Sequence, residues 1–138
     1  MTHQRKNMTI KTITKNIKEN IQNSLGQFDI NLSKEALNLS PPKQESFGDL
    51  SSNIALILAK QIKRSPLEIA EKVCQDLINS SIDYIDDITV TPPGFINFVI
   101  DKKFYQDNLK LIIKNGVEFG KDLSVKKRTA NVEFVSAN

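Results

Sequence analysis

Residues 88–100 read ITVTPPGFINFVI. Ile88 and Val90 alternate with Thr89 and Thr91, the period-two pattern of a strand with one apolar face. Pro93-Gly94 supplies the proline and glycine that a tight turn uses, and FINFVI then resumes strand character. The stretch is predicted to be a β-hairpin. On its second strand Ile96, Phe98 and Ile100 share one wholly apolar face, while Phe95, Asn97 and Val99 share the other. Helices laid over the first face would bury it and turn Phe95 and Asn97 toward solvent. An exposed ring beside an amide suits an unpaired nucleobase, because the ring stacks and the amide offers a donor and an acceptor to the base edge. The same pair also arises where a second layer covers a sheet, and parity alone leaves both readings open.

Helical patterns flank the hairpin on both sides. Ile10, Ile13, Ile17, Ile21 and Leu25 recur at spacings of three and four, which predicts a helix with Lys11, Lys15, Lys18 and Gln22 on its other faces and a stop at Gly26. Ala36 to Leu39 is a short strand candidate ended by Pro41-Pro42. LSSNIALILAKQIK (residues 50–63) is predicted to be a deeply buried helix capped by Asp49. Ser65-Pro66-Leu67-Glu68 combines a serine cap, a proline at the first helical position and a glutamate three residues after the serine, so a further helix starts there behind a capping box. Its core stripe is Ala70, Val73, Cys74, Leu77 and Ile78, which makes Cys74 an apolar filler rather than a reactive thiol. A last amphipathic helix, Lys102 to Asn115, should carry Tyr105, Leu109, Ile112 and Ile113 inward, with Gly116 and Gly120 at its exit. The fold class expected is α+β, a small, mostly antiparallel sheet packed against helices.

Composition bounds the chemistry. With 138 residues, 39% hydrophobic and 25% charged, the chain is long enough for one domain and the first element of another. No apolar run reaches the ~18 residues of a membrane span, and MTHQRKNMTI has no apolar segment of signal-peptide length, so a cytoplasmic address with no membrane partner is the expectation. One cysteine and one histidine give no metal cluster and no Cys/His nucleophile pair. Glycine-rich phosphate loops, HExxH and G-x-S-x-G are absent, so no catalytic residue is assigned. Asp86-Asp87 reads as a solvated edge. Lys+Arg against Asp+Glu runs 7 to 4 for residues 1–47, 4 to 7 for 48–100 and 8 to 5 for 101–138. Two basic flanks around an acidic centre fit a polyanion partner, and equally the solvated surface of a lysine-rich protein.

NVEFVSAN (residues 131–138) has the character of a strand that belongs inside a sheet, yet nothing follows it. The expectation is the front part of a longer protein, cut as a second domain opens.

FGDLSSNIALILAK (Phe47 to Lys60), PPGFINFVI (Pro92 to Ile100), GVEFGK (Gly116 to Lys121) and VEFVSAN (Val132 to Asn138) stand in the order and spacing of the N-terminal part of arginyl-tRNA synthetases, which this chain resembles over nearly its whole length beyond the tail. The resemblance implies a disordered tail (1–7), an N-terminal additional domain that grips the tRNA outer corner at the D-loop (8–125), and the opening strand of a truncated Rossmann-type class I catalytic domain (126–138). It implies a monomeric arginine–tRNA ligase as parent, joining arginine to tRNA(Arg) through arginyl-adenylate with ATP as co-substrate together with Mg. These 138 residues would bind no ATP and would not aminoacylate by themselves. A free-standing RNA-binding or interaction module is the alternative. The family's contacts to an unpaired D-loop base fall on Phe95 and Asn97, and Lys11 and Lys15 are assigned to tRNA phosphates from the basic face of the first helix. One departure is Pro92, which stands where the family often has glycine; the proline would stiffen the turn. In the last motif Glu133 corresponds to the residue facing the arginine guanidinium, and Ser136 and Asn138 to residues near the α-amino and carboxylate groups. A planar, permanently charged guanidinium is best matched by a carboxylate with two acceptor oxygens.

Overall fold

The structure, a computed structural model, describes residues 9–121. In chain order come helix α1 (Ile10–Leu25), strands β1 (Leu39–Ser40) and β2 (Leu50–Ser52), helices α2 (Ile54–Ile62) and α3 (Pro66–Ser80), strands β3 (Ile85–Thr91) and β4 (Phe95–Ile100), and helix α4 (Lys102–Asn115). The four strands form one antiparallel sheet in the order β1-β2-β4-β3. The class is α+β as expected. The Rossmann-type opening strand, the tail at 1–7 and the 126–138 boundary lie outside the described residues.

The expected hairpin forms: Ile88 opposes Phe98, Val90 opposes Ile96, Thr89 opposes Asn97 and Thr91 opposes Phe95. Ile96, Phe98 and Ile100 are buried beneath the helices with Ile54, Ala55 and Leu58 of α2 and Ala70, Val73 and Leu77 of α3. On the outer side of α3, α1 buries Ile13, Ile17, Ile21 and Leu25. Asp76 ties α3 to the end of α1, its Oδ2 accepting from Ser24 Oγ and from Gln27 Nε2, each at 2.6 Å. α1 stops at Gly26 as expected, with the glycine itself in right-handed geometry; a short 3-10 segment follows, and Asp29 takes the left-handed conformation.

Several expectations are corrected. The helix over 50–63 is a strand followed by a shorter helix. Serine and asparagine side chains compete for backbone hydrogen bonds and weaken a helix start, while β4 presents an edge to pair with: Leu50 opposes Phe98, Ser51 opposes Asn97 and Ser52 opposes Ile96. Asn53, not Asp49, precedes the helix. Asp49 instead clamps β4, its amide donating to Phe98 O and its Oδ2 accepting from Ile100 N, both at 2.8 Å.

The strand at Ala36 to Leu39 begins later. Residues 34–36 turn, Leu37 enters the core, and pairing starts at Leu39. In α3, Pro66 does occupy the first turn behind Ser65, but the serine side chain makes no capping bond; Ile69 joins the expected core stripe, and Ile78, expected in it, is exposed.

The largest correction concerns α4. Only Phe104 is buried, edge-on to Tyr84, whose hydroxyl donates to Asp107 Oδ2 at 3.0 Å. Tyr105, Leu109, Ile112 and Ile113 face outward, at 51%, 57%, 41% and 74% exposure. The helix meets its own domain along a different stripe from the one its apolar residues define.

Candidate nucleic-acid interface

Cross-strand partners point the same way, so the face of the sheet turned from the helices carries Thr91, Phe95, Asn97 and Ser51 together. The segment from Pro41 to Phe47 closes over this face and leaves a concavity of about 400 Å³, within the roughly 300–1,000 Å³ of small-ligand clefts. Asn97 and Ser51 are its most buried lining residues. Phe95 and Phe47 are half-buried and contribute two rings, and Asn53, Gln44 and Asn38 contribute three further amides. Among the described residues, Lys43 is the one cation in the lining. Two ring faces among several amides can stack a planar heterocycle and match donors and acceptors on its edge.

Phe95 and Asn97 therefore share one site, but not as parity alone placed them. Asn97 does not meet bulk solvent. It is 1% exposed and donates from Nδ2 to Thr91 Oγ1 at 3.0 Å. The covering segment explains the difference, since a sheet parity argument sees the strand and not the loop that folds across it.

The backbone geometry of the site depends on Gly48. Its φ of +121° is a conformation that side chains disfavour, and a Cβ there would stand 2.7 Å from Phe98 O. Gly94, in the hairpin turn, approaches the first residue of α3 as closely, a Cβ there lying 2.9 Å from the Pro66 carbonyl.

Lys11 and Lys15 lie elsewhere. They line a separate concavity with Thr14, Lys18, Lys34 and Glu35, which shares no residue with the first. Glu19 accepts from Lys34 Nζ at 2.8 Å and lies 4.0 Å from Lys15 Nζ. The Lys34 hydrogen bond, with the fields of Lys34 and Lys15, holds the Glu19 carboxyl below its ordinary range. Glu133, Ser136 and Asn138 lie outside the described residues. Phe47, Asn38, Gln44 and Asn53 were not anticipated. The helix-poor run Ser51-Ser52-Asn53 after a glycine was the available signal that this segment pairs with the sheet instead of entering a helix. Among the described residues no three His, Cys, Asp or Glu side chains are grouped to hold a metal, and no helix is long and apolar enough to cross a membrane.

Helices on one face of an antiparallel sheet and an aromatic, amide-lined cleft on the other define a small α+β domain built to present a cleft. The chain belongs to the arginyl-tRNA synthetase N-terminal domain family, whose profile matches residues 11–100. It is similar to the arginine–tRNA ligase of Bartonella quintana, 44% identical over 80% of this chain and 18% of that protein. It is likewise similar to that of Bartonella bacilliformis, 36% identical over 91% of this chain and 22% of that protein. The chain thus spans about a fifth of the length of these curated relatives. In fold it matches the arginyl-tRNA synthetase of Plasmodium falciparum with a TM-score of 0.58, at 23% identity, over 71% of this chain and 18% of that one.

Proposed function

We propose that residues 8–125 are the tRNA-binding domain of an arginine–tRNA ligase and that the cleft beside the Pro92–Gly94 turn receives an unpaired base of the D-loop. The observation that carries this reading is the convergence of Phe95 and Asn97 on one cleft with a second ring, Phe47, and further amides. Stacking supplies affinity for any base, and the amides supply preference among bases. Lys11 and Lys15, on a separate surface, contact phosphates and contribute affinity without sequence preference.

The parent ligase joins arginine to tRNA(Arg) through arginyl-adenylate, with ATP and Mg, as a cytoplasmic monomer. Residues 126–138 open its catalytic domain, with Glu133 receiving the guanidinium and Ser136 and Asn138 the α-amino and carboxylate groups. Residues 9–121 take no part in the ATP chemistry; their work is to orient the tRNA.

Steady-state arginylation by the full-length polypeptide, with transcripts differing at single unpaired D-loop positions, tests both levels. The expected result is arginine-specific charging whose kcat/KM depends on one D-loop base. Charging that ignores every D-loop substitution would remove the cleft from tRNA recognition, and absence of charging would remove the ligase reading itself.

A further inference from the structure

Helix α4 carries more apolar surface than its own domain uses. Phe104 packs inward and Asp107 and Asn108 follow it on the same side, half-buried. Tyr105, Leu109 and Ile113 succeed one another at intervals of four, and Ile112 lies one turn from Leu109, so the four exposed side chains make one continuous stripe beside the packed one. Lys103, Lys110 and Lys114 lie on the remaining side of the helix. Monomeric proteins seldom leave such contiguous apolar patches to water.

We infer that this outward stripe of α4 is the seat of the polypeptide that follows the domain in an arginine–tRNA ligase; the inference rests on the ligase reading above. The match to the Bartonella bacilliformis protein spans 91% of this chain, which includes α4, and only 22% of that protein. α4 is also the last α-helix among the described residues. A body tethered so close to the stripe meets it at an effective concentration in the millimolar range for short linkers, which a free second copy does not reach. Docking there fixes the angle between the tRNA cleft and whatever follows the domain, with the lysine side left in water.

The test uses the full-length polypeptide with single cysteines introduced by Leu109→Cys, Ile113→Cys or Lys110→Cys, all at exposed positions that the domain's own core does not need. Labelling at each position is followed by mass spectrometry, alongside arginylation by each variant. The thiols introduced at positions 109 and 113 should react about tenfold or more slowly than the thiol at 110, because access then requires local opening, and the difference should persist on dilution. Equal rates at the three positions in a polypeptide that still charges tRNA would overturn the docking and spare the ligase reading. Protection that dilution removes would assign the stripe to a second copy, and also overturns it. Loss of charging in the unsubstituted polypeptide would instead strike the reading beneath.

Discussion

Asn97 donates from Nδ2 to the hydroxyl of Thr91 at 3.0 Å, joining the two strands just before the Pro92–Gly94 turn closes them. The bond fixes the rotation of an amide that is almost fully enclosed and lines the cleft. A side chain so placed serves stability and recognition at once, so melting temperature alone cannot assign its role.

Asn97→Ala is expected to destabilise the domain by about 0.5–1.5 kcal/mol, the usual net value of a hydrogen bond, and also to blunt preference among D-loop bases. Thr91→Val removes the same bond and should cost a similar amount while keeping part of the preference, because the amide remains in the cleft. Denaturant unfolding with arginylation of D-loop variants separates the two. If both variants are equally destabilised and neither changes base preference, Asn97 is a packing residue only.

Phe95 is half-buried and lines the cleft. Phe95→Ala should raise the KM for tRNA by the equivalent of about 1–3 kcal/mol of stacking, with arginine and ATP parameters nearly unchanged. Phe95→Leu keeps apolar volume but offers no ring face, and should restore stability more than tRNA affinity. Full recovery of tRNA KM by leucine would mean that the ring contributes bulk and no stacking.

What was legible in the sequence was local and repetitive. The hairpin and its buried face followed from the strand patterns on either side of Pro93-Gly94, and α1 from its isoleucine spacing. What was not legible depended on partners distant in sequence. Ser51 belongs to a strand because β4 lies beside it, and Asn97 lines a cleft whose other wall comes from residues 41–44 and Phe47. The outward stripe of α4 was misassigned for a related reason: periodicity identifies an apolar face without naming its neighbour. Within the cleft, Phe95 and Asn97 could be named from the hairpin and the family resemblance, whereas Phe47 and Asn53 depended on a strand the helical pattern had hidden.

Gly48 and Asp49 test that hidden strand. Gly48→Ala places a Cβ 2.7 Å from Phe98 O at φ +121°, a backbone strain of about 1–3 kcal/mol before any clash. Asp49→Ala leaves the Ile100 amide without its carboxylate partner, at about 1–3 kcal/mol. Both should lower the unfolding midpoint, and a Gly48→Ala protein as stable as the parent would contradict the close approach of this loop to β4.

Burial, and secondarily the charge of Asp87, push the Cys74 thiol up from its ordinary range. Its Sγ lies 3.5 Å from Ile88 O, beneath the sheet. Because the unfolded chain ionises this thiol first, the contribution is intact below the ordinary thiol pKa and is lost as pH rises above it. Stability should therefore fall more steeply with pH in this alkaline range for the parent than for Cys74→Ala, and alkylation of the native thiol should lag far behind that of the urea-unfolded chain. Equal alkylation rates in native and unfolded protein would place Cys74 at the surface.

The separation of the two candidate tRNA surfaces gives the sharpest test of the division between affinity and preference. Lys11 and Lys15 share no lining residue with Phe95 and Asn97, and effects at distant sites without shared partners add within about 0.3–0.5 kcal/mol. Neutralisation by Lys11→Gln and Lys15→Gln is preferable to charge reversal, since a glutamate at 15 would face Glu19 one turn away, where like charges repel. The exposed Lys15–Glu19 contact at 4.0 Å is worth little to the fold, so stability should hold. Each phosphate contact removed should flatten the log–log salt dependence of tRNA binding by about 0.7–0.9, while preference among D-loop bases stays as it was. Phe95→Ala should do the reverse, weakening binding at every salt concentration with the slope unchanged, and the triple variant should combine both effects without coupling. A salt slope indifferent to both lysines would leave them as solvated surface. A slope that moves with Phe95 would show that the cleft and the basic face bind the RNA as one surface, contrary to the geometry that sets them apart.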